Sequence, residues 1–538
     1  MDCLRLQIYL CLLFFAFFPS DSLYAQNQTS FDILLKGGTI IDGTGKPGFT
    51  GDIAIKYDRI VQIGPEIKGT ASETIPCRGL TIAPGFIDLH NHSDRQIISP
   101  LTRANMNYVT QGCTTIVTGN CGSGPVDTEE YYRIIDAAGS GTNVLHLIPQ
   151  GSLRDEVMGS GQRKPTDEEL QKMKSLAEKA MQDGAWGMST GLIYVPSSYA
   201  ETDELVELAQ IVSRYQGIYA SHIRNESTEL LAAVNEALKI GKQAKLPVHI
   251  SHFKSSGQDA WGLVIRAAAM IEDARKQGQN VTADQYPYIA SSTSLGATLI
   301  PAWARAGSNK ELVARLEAPE TSEKIRKAIQ SNIEKREEGK AVRIARYSER
   351  PDWVGKNLLQ IAEKENKSVL DIVLEITRQG GASVVNFSMN EADVRQIMKI
   401  DWVATASDGR AYLPGSDRPH PRNYGTFPRK LAYYALQQKV IPLEHAVRSM
   451  TGLPADILGL KDRGYLREGA YADIVVMDTD TLIDKATFDD PHQYSDGIRF
   501  LYVNGSPAIT AGFPTGSLAG KALRHQTVAN NTKKQSSP

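Results

Sequence analysis

Apolar and polar residues alternate in short runs at both ends of the chain, and gather into longer unbroken apolar runs between them. From Phe31, FDILLKGGTIIDGTG and GDIAIKYDRIVQIG alternate around glycines, as strands of a small half-buried β-layer do. The same texture returns in LREGAYADIVVMD (Leu466–Asp478) and IRFLYVNGSPAI (Ile498–Ile509), where Asn504-Gly505 signals a hairpin. Neither end supplies many strands alone, so one β-sandwich built from both termini is expected. Between them, continuous apolar runs alternate with helical stretches: Thr114–Asn120, Asn143–Gln150, Trp186–Leu192, Gly217–Ile223, Leu246–Phe253 and Asn280–Tyr286. Thr166 with Glu169 three residues on forms a capping box at one helix start. Unbroken apolar strands separated by helices read as buried parallel strands. The fold class is therefore α/β, a (β/α)8 barrel of the TIM type carrying the sandwich. Nine candidate strands fall between Ile82 and Ser407, one too many, and Ser383–Phe387 fits the barrel least. Pro301 to Arg350 breaks the rhythm with charged, helical sequence and no β run, and reads as a helical insertion beside the barrel mouth.

The expected organisation is a signal segment over 1–25, sandwich strands over 26–83, the barrel over 84–462 with insertion 301–350, sandwich strands again over 463–525, and a polar, disordered tail over 526–538. Ile8–Phe18 is apolar throughout but only eleven residues long, against about 20 needed to span a bilayer. Arg5 precedes it, and cleavage is expected after Ala25. The mature protein is then exported, periplasmic or secreted, and free of the membrane. Its remaining thiols are Cys77, Cys113 and Cys121, an odd number, which makes each worth weighing as a metal ligand.

Charge narrows the function. Lysine plus arginine number 59 and acidic residues 61, a net of −2, which argues against a nucleic-acid binder. The ten histidines are unevenly placed. His90 and His92 form His-Asn-His directly after the apolar TIAPGFIDL, and alternate residues on a strand face one side. His222 and His252 each end a strand, where barrel enzymes keep their active sites. Cys121 lies in GNCGSG, just past another strand, between glycines that let the chain bend its sulfur toward an ion. His249 faces away, Cys113 reads as core, and Cys77 belongs to the β-layer. His146, His445, His492 and His525 read as structural or surface residues, and His420 stays undecided. Asp408 ends the strand WVATAS, where a carboxylate can take a proton from water beside a metal. RPHPRNYGTFPR brings Arg418, Arg422 and Arg429 into twelve residues, and arginine suits a carboxylate. Lys254, Tyr286, Tyr288 and Tyr194 also follow strands; Arg422, Lys254 and Tyr286 are the candidates for an anion site.

The motifs APGFIDLHNHSD, TGNCGSGP, GMSTGLIYVP, SHIRNE, SHFK, DQYPY, SDGR and RPHPRNYGTFPR resemble, in order, those of the N-acyl-D-amino-acid deacylases (D-aminoacylases) of the amidohydrolase superfamily. The resemblance implies a zinc enzyme releasing D-amino acids from N-acyl-D-amino acids or L-Xaa-D-Xaa dipeptides. It implies a tight zinc on Cys121, His222 and His252, and a second, weaker position lined by His90 and His92 that Cys121 shares. Asp408 would be the acid and base. Lys254, Tyr286 and Arg422 would hold the free carboxylate of a small-molecule substrate, with Tyr194 beside it. The competing reading is a cyclic-amide hydrolase of the dihydroorotase or hydantoinase kind. Many such enzymes bridge two metals with a lysine on the fourth strand, but WGMSTGL has neither lysine nor acid.

Overall fold

The computed structural model describes residues 30–526, so the signal segment and the tail from 527 onward lie outside the described residues. Strands from the two ends hydrogen-bond into one nine-stranded sheet. Ser30–Ile40 pairs antiparallel with Phe49–Lys56 and parallel with both Thr70–Pro76 and Thr81–Pro84. It serves two neighbours on one edge because its register breaks between Leu35 and Gly38. Thr81–Pro84 then pairs with Ile474–Met477, which continues into Ile498–Val503 and Ser506–Thr510. In place of the β-sandwich expected from both termini, the two ends form one hydrogen-bonded nine-stranded sheet. Ile33, Leu35, Ile53 and Ile55 from the first end share a core with Ile474 and Val476 from the second. Each such side chain contributes about 1.5–3 kcal/mol when buried, which neither end could collect alone. The hairpin at Asn504-Gly505 has positive φ at both residues, 51° and 77°.

Phe86–Asp88, Cys113–Thr118 and Asn143–His146 pair in parallel. The third stretch continues through Ile148–Pro149, which pairs with Gly187–Gly191. Ile218–His222, Val248–Ile250, Val281–Gln285 and Val403–Thr405 follow, all parallel. A parallel bridge between Asn91 and Gly409 ties the last strand to the first. Asp88 strengthens that seam, accepting hydrogen bonds from Ser407 N at 2.9 Å and Ser407 Oγ at 2.6 Å. The result is an α/β unit of parallel strands in a six-stranded and a three-stranded sheet, joined by that bridge. Its strands are buried on both faces, polar residues such as Thr114, Thr190 and Asp284 included. Asp167–Gln182, Thr202–Arg214, Leu230–Ala244 and Leu263–Lys276 supply much of that burial, and the capping box of Thr166 and Glu169 is formed. No helix among the described residues is long and apolar enough to cross a membrane.

Ser383–Phe387 lies outside these parallel sheets, paired antiparallel with Ala290–Ser294 and Val342–Arg346. This corrects the expectation of a purely helical insertion over 301–350. Helices Asn309–Glu317 and Pro319–Glu334 are present, but Val342–Arg346 is a strand, and the unit runs from Ala290 to Phe387. Val342 and Ile344 face one cluster and Ala345 another, too short a signal among charged flanks to mark a β run. His420 Nε2 bonds the Ala290 carbonyl at 2.8 Å, and Arg418 N bonds the Ala345 carbonyl at 2.8 Å, fastening the insertion beside the mouth.

Candidate active site

The carboxyl-terminal ends of the parallel strands converge on one cluster. Cys121 Sγ lies 3.2 Å from His90 Nε2, 3.6 Å from His222 Nδ1 and 3.7 Å from His252 Nε2. A sulfur and a nitrogen on one tetrahedral zinc stand about 3.6 Å apart, given bonds near 2.3 and 2.0 Å. Cys121 Sγ has about that spacing to both His222 and His252, a soft-plus-imidazole set that suits a divalent ion, and its ligand atom converges with those of His90 and His252. His222 Nε2, the ring nitrogen that does not face Cys121, is buried without a hydrogen-bond partner and lies 3.9 Å from a Glu226 carboxylate oxygen. His90, His92 and Asp408 form a second group of converging ligand atoms.

Local backbone explains how these side chains reach the centre. Gly119, Cys121 and Gly122 have φ of 77°, 52° and 69°, a left-handed turn that swings the sulfur inward. A Cβ on Gly119 would stand 2.0 Å from the Leu147 carbonyl oxygen, so only glycine fits. Asp94 pins the turn by accepting from Gly119 N at 2.6 Å. Cys121, His252 (φ 37°) and Asp408 (φ 51°) are all non-glycine residues with left-handed backbone. Such conformations cost of order 1–3 kcal/mol and cluster at functional sites.

Asp408 bridges the histidines and the arginine. Its Oδ1 lies 3.0 Å from His92 Nε2 and 3.4 Å from His90 Nε2, and its Oδ2 lies 2.7 Å from an Arg422 guanidinium nitrogen. Burial alone would push its carboxyl up, but Arg422, His90, His252 and His92 outweigh it and hold the carboxyl well below the usual range. Cys121 behaves likewise: burial disfavours its thiolate, yet His90, His222 and His252 bring its pKa well below that of a free thiol.

The anion candidates converge too. Tyr286 is buried with its ring 4.7 Å from the Arg422 guanidinium and 5.6 Å from Lys254 Nζ, and its hydroxyl has no partner. Lys254 Nζ lies 2.8 Å from His252 Nδ1; a turn after Val248–Ile250 brings it there, not strand alternation. Tyr194 packs edge-on against His222, centroids 5.0 Å apart, and its hydroxyl lies 3.1 Å from Thr293 Oγ1. A cavity of about 770 Å³ opens over the cluster, lined by His92, Cys121, Tyr194, Asp408 and Arg422. Of the three clustered arginines only Arg422 enters. Arg429 pairs with Asp484 at 3.2 Å, and Arg418 bonds the Asp489 carbonyl. His420 proves structural, with Nδ1 accepting from Arg422 N at 3.0 Å.

Two carboxylates at the site were not singled out from the sequence. Glu226 Oε1 lies 2.6 Å from Lys254 Nζ and 2.8 Å from His252 Nδ1. Asp284 accepts from His252 N at 2.8 Å and meets His249 Nε2 at 2.9 Å and His90 Nδ1 at 3.4 Å. His249 thus faces away from the cavity but orients the acid beneath it. The available signals were the four-residue spacing of His222 and Glu226, and the place of Asp284 two residues before Tyr286.

Comparison with known proteins follows this geometry. The model of a family described as "Amidohydrolase family" matches residues 73–332 and 373–509. A D-aminoacylase of Alcaligenes xylosoxydans xylosoxydans is 36% identical over 517 residues, covering 92% of this chain and 97% of that protein. The crystal structure of N-acyl-D-glutamate deacylase from Bordetella bronchiseptica, complexed with zinc and a phosphonate mimic of the tetrahedral intermediate, superposes with a TM-score of 0.79. Its identity is 32%, covering 92% of this chain and all of that one (100%). A D-hydantoinase structure, 15% identical with a TM-score of 0.57 and covering 92% of this chain and 99% of its own, shares the fold.

Proposed function

Because this chain belongs to the amidohydrolase family, and to its D-aminoacylase branch, we propose that it is a zinc-dependent hydrolase of the linear amide bond in N-acyl-D-amino acids, releasing the free D-amino acid. One observation carries the reading: an arginine, a lysine and a partnerless tyrosine hydroxyl stand beside a Cys-His-His set of zinc spacing. That arrangement supports an anion site next to a hydrolytic centre, as a substrate with a free carboxylate requires. In this reading the domains are a (β/α)8 barrel, a β-domain from both termini and an insertion over the mouth.

Cys121, His222 and His252 would hold the tight zinc, and His90 and His92, with Cys121, would offer ligands for a weaker one. A metal held by these residues would supply Lewis-acid chemistry, a water of lowered pKa and a polarised carbonyl. Asp408 takes the proton of the attacking water and returns it to the leaving nitrogen, so one carboxylate serves both steps. His92 fixes its Oδ1 and Arg422 its Oδ2. Arg422, Lys254 and Tyr286 hold the substrate carboxylate, with Tyr194 closing the wall beside it. Carboxylate, carbonyl and side chain then meet three fixed positions, which determines handedness. Water adds its hydroxyl to the acyl carbon and its proton to the nitrogen, giving a carboxylic acid and a D-amino acid. With an L-aminoacyl group the same chemistry cleaves L-Xaa-D-Xaa dipeptides. The amino-terminal segment supports export, so such fragments would be met in a periplasm or outside the cell.

The test offers each N-acetyl-D-amino acid beside its carboxamide and beside dihydrouracil and hydantoin. The reading predicts turnover of the free acids alone, and an Arg422→Met loss of about 10- to 100-fold in kcat/KM, the worth of a charge-assisted hydrogen bond. Turnover of the cyclic amides, undisturbed by Arg422→Met, would favour the cyclic-amide reading instead.

A further inference from the structure

A second, smaller cavity of about 90 Å³ lies between the barrel mouth and the insertion. Lys254, Tyr286, Ser291, Thr298, Arg336 and Asn386 stand in its wall. It also touches His222, His252 and Asp408, so whatever fills it lies beside the reacting bond. Two of its buried polar atoms have no use in the reaction described above. Arg336 Nε and Asn386 Oδ1 lack any hydrogen-bond partner. An unmet buried polar group costs about 1–3 kcal/mol, and two at one cavity invite a ligand group that meets them.

The charges at the cavity give its chemistry. Its two carboxylates are already taken: Glu226 by Lys254 and His252, and Asp408 by Arg422. Arg336 follows helix Pro319–Glu334 and spends one guanidinium N–H on the Asn332 carbonyl at 2.9 Å, leaving its charge without a counter-ion there. Burial lowers its pKa only to about 10, so it stays cationic at neutral pH. Asn386 sits on a strand paired on both edges, opposite Ser291 and Val342, which holds its amide in place. A half-turn of that amide presents Nδ2 in place of Oδ1 and makes it a second donor.

We propose that this cavity receives the side chain of the D-amino acid and selects a short one ending in a carboxylate, with Arg336 as its ion partner and Asn386 as a hydrogen-bonding neighbour. The inference rests on the deacylase reading and deepens it. The barrel supplies the chemistry, and the insertion, through Arg336 and Asn386, supplies the choice of side chain.

The experiment compares kcat/KM for N-acetyl-D-aspartate, N-acetyl-D-alanine and N-acetyl-D-leucine in the zinc-loaded parent, Arg336→Gln and Arg336→Lys, with thermal melts to confirm folding. The parent should favour the aspartate substrate. Arg336→Gln should lower the aspartate-to-alanine ratio about 10- to 100-fold, and Arg336→Lys should restore part of it. A parent that favours leucine overturns the inference, as does an Arg336→Gln variant that lowers both substrates alike. Absence of release from every D-substrate overturns the deacylase reading and this inference with it, a result distinct from either of those.

Discussion

Replacing Asp408 with asparagine isolates the proton carrier. Asparagine keeps the shape and an oxygen that can face His92, 3.0 Å away, but it carries no charge and cannot take a proton. General acid–base catalysis contributes about 10²- to 10⁴-fold, which at 1.36 kcal/mol per decade is roughly 2.7–5.5 kcal/mol of barrier. The substitution also strips Arg422 of its carboxylate at 2.7 Å, and both side chains are nearly buried, 5% and 11% exposed. Breaking such a pair costs about 3–5 kcal/mol of stability. The two effects separate by measurement. Melting curves establish that the variant is folded at the assay temperature, metal analysis gives zinc per chain, and initial rates on an N-acetyl-D-amino acid give kcat. The expected outcome is a folded variant with the parent's zinc content, because Cys121, His222 and His252 are untouched, and a kcat lower by about two to four decades. A folded, zinc-replete variant with kcat within a few-fold of the parent's would refute the assignment of Asp408.

Further outcomes follow from neighbouring groups. Glu226→Gln should weaken zinc binding about 10- to 100-fold, because Glu226 orients His252 through Nδ1; chelator competition measures it, and an unchanged affinity would remove Glu226 from the support of the metal. Lys430 is buried against Thr405 Oγ1 at 2.8 Å, and desolvation lowers its pKa from 10.5 to about 7. The unfolded chain therefore binds more protons between those values, so stability rises with pH across that window and the cost is full below it. Lys430→Met should raise stability at neutral pH by on the order of a few kcal/mol and flatten that slope. Melts of parent and variant that stay parallel from pH 7 to 10 would contradict a neutralised buried amine.

Much of the site was legible in the sequence because strand ends and glycine turns are local features. His90, His92, His222 and His252 each follow an apolar run, and parallel pairing puts all such ends on one side. Cys121 could be weighed as a ligand because Gly119 and Gly122 flank it. What the sequence concealed depends on neighbours distant along the chain. Arg418, Arg422 and Arg429 look equivalent in RPHPRNYGTFPR; only the docking of that segment against Asp408, Asp484 and Asp489 separates them. Glu226 and Asp284 act through His252 and His90, contacts that span 26 to 194 residues along the chain (252 − 226 = 26; 284 − 90 = 194). The strand Val342–Arg346 was hidden because Val342 and Ile344 gain their meaning only opposite Asn386 and Val384 across the small sheet.

The most direct test of the account is release of amino acid by the zinc-loaded protein from matched pairs of N-acetyl-D- and N-acetyl-L-amino acids, with L-Xaa-D-Xaa dipeptides alongside. The account predicts release from the D-substrates and none from their L-counterparts, because carboxylate, carbonyl and side chain are each held at a fixed position. Equal release from both enantiomers, or none from either with zinc bound, would contradict it.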